Sequence, residues 1–300
     1  MWRRIGIFGR IAGMKISEIL KRGFSVSFEV FPAKADTPVQ PVKEAVARLA
    51  KAKPSFISVT YGAAGGANTN TVDLASFVQN ECGVTALAHL TCLTSSRDKI
   101  ADEITALRRS GIENVLCLRG DAPAGGQRPE NPEFAHAVDL VKALRPSNFC
   151  LGGACYPECH PECAHLDEDI GHLKEKVDAG LDFVTTQMFF DNNVFYRYLS
   201  RLRAAGVTVP VIPGIMPVTN GRQIARICKL SGTYLPQRFA AIVDRFGDNP
   251  DQMMDAGVAY ATEQIIDLLA NGMSAVHVYT MNKPVVGERI MANLASIVEA

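Results

Sequence analysis

Glu29 stands in an apolar run, Val26-Ser-Phe-Glu-Val-Phe, whose alternation puts it on one face with Ser27 and Phe31. A carboxyl group on an inward, partly apolar face is poorly solvated, which raises its pKa and suits it to giving a proton near neutral pH. The alternative is a buried structural glutamate paired with an Arg or Lys at a strand end. Other chemistry-bearing residues follow similar runs. His89 fits either a functional imidazole or a hydrogen-bonded core residue. Arg119-Gly120-Asp121 sets a fork donor and a carboxylate on either side of a glycine that lets a ligand approach the backbone. A surface turn with an internal ion pair is the competing reading of those three residues. Gln187, amid Thr185, Thr186, Met188, Phe189 and Phe190, offers donor and acceptor to a heterocycle edge. Asp191 reads as the N-cap of a following helix.

Cys155, Cys159, His160, Cys163 and His165 carry the ligand types that zinc selects. They contain no C-x2-C knuckle, and Cys155 falls within a strand, so no metal is assigned. The chain has no P-loop, no G-x-S-x-G elbow and no G-x-G-x-x-G after a strand, which argues against a classical Rossmann dinucleotide site.

The elements that must position these residues repeat one pattern. An amphipathic helix ends at Gly, and a β-rich apolar run begins two to four residues later, at Gly111, Gly180, Gly206 and Gly272. With the remaining apolar runs this gives eight strand candidates, beginning near 26, 56, 85, 114, 149, 183, 209 and 276. Eight such units predict an α/β protein built as a single (β/α)8 TIM-type barrel. The long interval before the last strand holds extra helices between strands 7 and 8, around Gly221–Leu230 and Pro236–Phe246. Residues 1–14 read as an N-terminal tail and 15–300 as one catalytic barrel domain. In such a barrel, catalytic groups come from the C-terminal ends of the strands, where the residues named above converge.

Composition narrows the ligand. With 31 basic and 31 acidic side chains the formal net charge is zero, and 47% of the residues are hydrophobic. Neither a nucleic-acid footprint nor a membrane surface follows from that balance, and a small-molecule ligand does. No apolar run is long enough to span a bilayer. Eight cysteines lie mostly in apolar segments, which predicts a reduced, cytoplasmic protein. Monomer and homo-oligomer are both open.

At these strand ends the sequence resembles the methylenetetrahydrofolate reductases. The matching segments are Ser27-Phe-Glu-Val-Phe-Pro, Phe56-Ile-Ser-Val-Thr-Tyr-Gly-Ala, His89-Leu-Thr-Cys, Leu118-Arg-Gly-Asp, Tyr156-Pro-Glu-Cys-His-Pro-Glu, Thr186-Gln-Met-Phe-Phe-Asp, Ile212-Pro-Gly-Ile-Met-Pro-Val-Thr-Asn and Tyr279-Thr-Met-Asn, in the family's order. The resemblance implies a barrel that binds FAD without a Rossmann fold. NADH or NADPH reduces the flavin and leaves, and 5,10-methylenetetrahydrofolate then takes its place, a ping-pong reaction at one shared site. Glu29 matches the family's general acid, protonating N10 so that the methylene bridge opens to an N5 iminium. Asp121 matches a carboxylate near flavin and pterin. The implied flavin contacts are Thr60, His89, Arg119, Gly120, Asp121, Tyr156, His160, Asp169 and Lys176. Gln187 and Gln223 match folate-contacting glutamines, and Lys283 stands where an Arg is frequent, keeping charge without the fork.

Ile227 replaces an aromatic residue found in some members, and the segments 63–68 and 123–132 depart from the pattern. The barrel ends where the regulatory domain of longer eukaryotic enzymes would begin, so regulation by S-adenosylmethionine is not expected. Two rival readings are a folate-binding barrel of another reaction class, such as a methyltransferase, and a non-enzymatic zinc protein.

Overall fold

The computed structural model describes residues 13–33, 37–61, 69–122 and 128–298. Residues 1–12 of the expected tail, the loop 63–68 and residues 123–127 of the divergent segment lie outside them.

Nine parallel strands form one sheet: β1 Ser25–Val30, β2 Phe56–Val59, β3 Thr85–Thr91, β4 Asn114–Leu118, β5 Cys150–Cys155, β6 Phe183–Thr186, β7 Val211–Ile212, β8 Gly214–Ile215 and β9 Ala275–Tyr279. Their order is β7-β6-β5-β4-β3-β2-β1-β9-β8. The two ends of this series are halves of one run of chain. Val211 and Ile212 pair with β6, while Gly214 and Ile215 pair with β9. Proline has no N–H to give to a ladder, so Pro213 splits the seventh strand. Its carbonyl still accepts the His277 N–H at 2.8 Å. Through this split strand the sheet closes as the TIM-type barrel that the sequence predicted.

Helices alternate with the strands: α1 Ile16–Ile19, α2 Gln40–Lys51, α3 Thr69–Ser76, α4 Arg97–Arg109, α5 Ala137–Leu144, α6 Leu166–Asp178, α7 Asn192–Ala204, α8 Gly221–Ser231, α9 Gln237–Phe246, α10 Pro250–Ala270 and α11 Pro284–Val298. α7 shows how local sequence sets an element. Asp191 caps its start by accepting the Asn193 N–H, and Gly206, at φ 82°, turns the chain just past its end. The extra helices before the last strand are α8, α9 and the long α10.

Three apolar clusters divide the interior. The largest fills the layer between sheet and helices, with Phe28, Leu49, Leu173, Leu202, Ile265 and Leu294 among its members. A second plugs the lower barrel, where Ile16 and Ile19 of α1 meet Phe56, Leu87, Leu116, Phe183 and Ile212. Burying each of those two isoleucines contributes ~1.5–3 kcal/mol. Asn114 fixes α1 there, accepting the Ile16 N–H at 2.8 Å and donating to the Met14 carbonyl at 3.0 Å. With the bottom sealed, ligand access falls to the opposite end. There a third cluster, including Met188, Phe190, Ile224, Phe239 and Met253, roots α8 to α10 on the barrel rim.

Candidate active site

Above the lower plug the barrel interior turns polar. The parallel register sets Ser27 opposite His277, and Glu29 opposite both Ser58 and Tyr279. Glu29 is 9% exposed and lines a cavity of about 490 Å³ at the C-terminal ends of the strands. Arg119, Asp121, Tyr156, His160 and Gln187 line the same cavity, so six residues singled out in the sequence meet there. Met188, Met216, Ile227, Leu230 and Met281 supply its apolar wall.

The surroundings of Glu29 are less apolar than its sequence neighbours suggested. Its Oε2 lies 3.8 Å from Nε2 of His89 and 3.9 Å from Nε2 of His277. Burial pushes His89 down to about 4, against the pull of Glu29 and with a smaller push from His277, so its ring is neutral near pH 7. His89 Nε2 is buried with no hydrogen-bond partner, facing Glu29. The β9 exit holds Glu29 from the other side. Thr280 Oγ1 donates to its carbonyl at 2.7 Å, and the Asn282 amide pairs with the N–H and C=O of Phe31 at 2.8 and 2.9 Å. Met281 and Asn282 both take left-handed φ, 54° and 55°, a costly arrangement that these contacts stabilise.

Across the cavity, Arg119 meets Glu162 as a two-point fork at 2.6 and 2.9 Å, and Arg128 bonds the same carboxylate. These two guanidinium groups hold Glu162 down at about 2. Gly120 sits between Arg119 and Asp121 at φ 83°, where a Cβ would come within 2.9 Å of Thr91 Cβ. The backbone can turn there only without a side chain.

His160 is oriented by its own loop. The Glu162 N–H donates to its Nδ1 at 3.1 Å, so the neutral ring carries its proton on Nε2. Burial, helped by Arg119, lowers its pKa and favours that neutral form. Tyr156 packs edge-on against it with ring centroids 4.6 Å apart. Gln187 accepts the Met188 N–H on its Oε1 at 2.9 Å, which leaves its amide N–H groups as the donors facing a ligand.

Asp169 and Lys176 both lie on α6 and both point at the barrel, but onto backbone. Asp169 accepts the His160 N–H at 3.1 Å, and Lys176 Nζ donates to the Ala154 carbonyl at 2.8 Å. Burial lowers the Lys176 pKa, with Cys155 and Asp169 opposing it. Thr60 follows β2 half-buried, its carbonyl taking the Thr71 hydroxyl at 3.1 Å. Gln223 is exposed on the first turn of α8, one turn before Ile227 on the same face. Lys283 donates to Thr219 Oγ1 at 2.6 Å, bridging the β9 exit to the loop before α8. None of these five side chains is among the cavity-lining residues.

Sequence reasoning gave no site role to His277 or Glu162, and it placed Tyr279 at the end of the last strand without assigning its contact. Tyr279 donates its hydroxyl to the Thr186 carbonyl at 2.6 Å and lines the cavity. His277 had a signal, a lone His two positions before Tyr279 and hence on the same strand face. Glu162 closes the segment Tyr156-Pro-Glu-Cys-His-Pro-Glu, but its partners Arg119 and Arg128 are distant in sequence and gave no sign of the ion pairs.

The cysteines go to separate partners: Cys159 Sγ to the His160 and Cys163 carbonyls, Cys163 Sγ to His172 Nδ1 at 3.7 Å. Among the described residues no cluster of His, Cys, Asp and Glu is arranged to hold a metal ion. All eight cysteines are free thiols. No described helix is long and apolar enough to cross a membrane.

A barrel with this cavity matches known proteins along nearly its whole length. The family model described as methylenetetrahydrofolate reductase covers residues 15–295. The chain is 35% identical over 301 residues to methylenetetrahydrofolate reductase (NADH) 1 of Arabidopsis thaliana, covering 95% of this chain and 51% of that protein. It is 34% identical over 260 residues to 5,10-methylenetetrahydrofolate reductase of Escherichia coli strain K12, covering 86% of each. A solved structure from Clostridium thermocellum, described as an uncharacterized protein that binds two copies of 5-methyl-5,6,7,8-tetrahydrofolic acid, shares the fold. Its TM-score is 0.66 at 13% identity, over 95% of this chain and all of that one. The chain belongs to the methylenetetrahydrofolate reductase family. It spans about half the length of the plant relatives it matches.

Proposed function

We propose that the protein reduces 5,10-methylenetetrahydrofolate to 5-methyltetrahydrofolate in the cytoplasm, with FAD as resident cofactor and NADH or NADPH as reductant, in two alternating half-reactions at one site. One observation carries this reading: in a member of this family, Glu29, Asp121, Gln187, Arg119, Tyr156 and His160 line a single cavity.

The donor set fits the cofactor. Arg119 and the Nε2–H of His160 suit a polar, anionic molecule, while Tyr156 and the methionine wall suit a planar ring. Gly120 opens the backbone between Arg119 and Asp121 to close approach. Thr60, His89, Asp169 and Lys176 complete the cradle from behind the cavity wall, Asp169 and Lys176 by fixing the loop that carries Tyr156 and His160. When bound, FAD accepts hydride from the nicotinamide and returns it to the folate carbon.

The protein's own part in the second half-reaction is proton delivery and charge. Glu29 gives a proton to folate N10 as the C–N10 bond breaks, leaving an N5 iminium. Asp121, in the same cavity, places negative charge near that cation. Gln187 donates to the pterin edge, and Gln223 and Lys283 meet the outer part of the folate along the α8 side.

Purified protein should carry a flavin visible spectrum, be bleached anaerobically by NADH or NADPH, and recover its colour on adding methylenetetrahydrofolate. A colourless protein that takes up no added FAD overturns the reading.

A further inference from the structure

His277 is buried one strand-face step below Tyr279, and its ring is fixed on three sides. Ser27 Oγ donates to the Val276 carbonyl at 3.1 Å, so its oxygen accepts the Nδ1–H of His277 at 2.7 Å. In the neutral ring this leaves the lone pair on Nε2. That nitrogen faces Ser58 Oγ at 3.1 Å and Glu29 Oε2 at 3.9 Å. Phe56 stacks on the ring, centroids 5.9 Å apart and planes 12° from parallel.

Two serines and a histidine inside a barrel forfeit solvation that an apolar layer would not. The layer directly below is apolar, with Phe56, Leu87, Leu116 and Phe183. The polar set lies beside Glu29, where it has a carboxyl group to act on.

We propose that His277 is the positioning residue for Glu29: Ser27 and Ser58 fix its ring and tautomer, and the fixed ring, its Nε2 3.9 Å from Oε2, sets the place and polar surroundings of the carboxyl group at the cavity floor. The inference rests on the reading of Glu29 as the acid. The proton passes from the Glu29 oxygen to folate N10 as the C–N10 electron pair goes to nitrogen. Glu29 regains a proton from solvent after product leaves. The other groups facing Glu29 are His89 from β3, 3.8 Å away and neutral, Tyr279 from β9, whose hydroxyl is committed to Thr186, and Asp121 across the cavity. Among the described residues no Lys or Arg is within ion-pair distance of Glu29.

The test compares the two half-reactions of the flavin-loaded protein by rapid mixing across pH, for wild type, His277→Asn and Ser58→Ala. His277→Asn should slow the folate half-reaction at least ~10-fold, part of the ~10²–10⁴-fold that a placed acid supplies, with little change in folate KM. The alkaline fall of that half-reaction should move to lower pH, while flavin reduction by NADH persists. Ser58→Ala should move the profile the same way by less, and decides the matter if His277→Asn does not fold. A proportionate loss of both half-reactions, or a wild-type pH profile in the folded variants, overturns the proposal. Glu29→Gln run alongside separates the two levels. Full folate turnover in it removes the acid itself, whereas a dead Glu29→Gln with wild-type His277 and Ser58 variants removes only the positioning.

Discussion

The hydroxyl of Thr280 donates to the carbonyl of Glu29 at 2.7 Å, so the chain leaving the last strand holds the first strand at the residue assigned as acid. Thr280 is 1% exposed, and no solvent replaces its hydroxyl if it is removed. Thr280→Val keeps the shape and leaves a buried carbonyl unpaired, a loss of ~1–3 kcal/mol. Urea unfolding checks this; a variant as stable as wild type would show that the carbonyl finds another donor.

His89 makes stability depend on pH. Its folded pKa is about 4 because of burial, against about 6.5 in the unfolded chain, so between those values the unfolded chain binds the extra proton. Its contribution is complete above pH 6.5 and is lost as pH falls toward 4, a change of up to about 3 kcal/mol. His89→Gln should flatten the acid side of the stability curve in that window. Parallel curves for the two proteins would contradict the assignment.

Gly120→Ala forces a side chain into left-handed backbone and against Thr91. The expected loss is ~1–3 kcal/mol in stability, with weaker FAD retention because Arg119 and Asp121 flank the distorted turn. Thermal unfolding with and without FAD measures both, and an unchanged variant would remove the glycine from the site's design.

Arg119→Lys keeps the charge and loses the fork that now grips Glu162. FAD affinity should fall ~10-fold, about 1.4 kcal/mol, by equilibrium dialysis. Wild-type affinity would mean that charge alone suffices at this position.

The barrel was legible because each unit is local. Alternation marked the strands, helix-closing glycines marked the joints, and the strand starts expected near 26, 56, 85 and 114 lie at Ser25, Phe56, Thr85 and Asn114. The seventh strand was harder to read. The run expected from Val209 begins at Val211 and breaks at Pro213, since proline removes ladder donors on both sides of Val211-Ile212. For the site, residue type and strand-end position found the cavity-lining set, but partners across the barrel were hidden. That Glu29 lies between His89 and His277 depends on the register of β1, β3 and β9, strands far apart in sequence. Arg128 and Glu162 likewise meet only through the folding of two loops.

The central claim is that Glu29 protonates folate beside a flavin that the nicotinamide reduces independently. Glu29→Gln, loaded with FAD, is the direct test, with each half-reaction followed separately by flavin absorbance. The account predicts that NADH or NADPH still bleaches the flavin at close to the wild-type rate, while methylenetetrahydrofolate no longer restores the colour. Reoxidation by folate at the wild-type rate would contradict it.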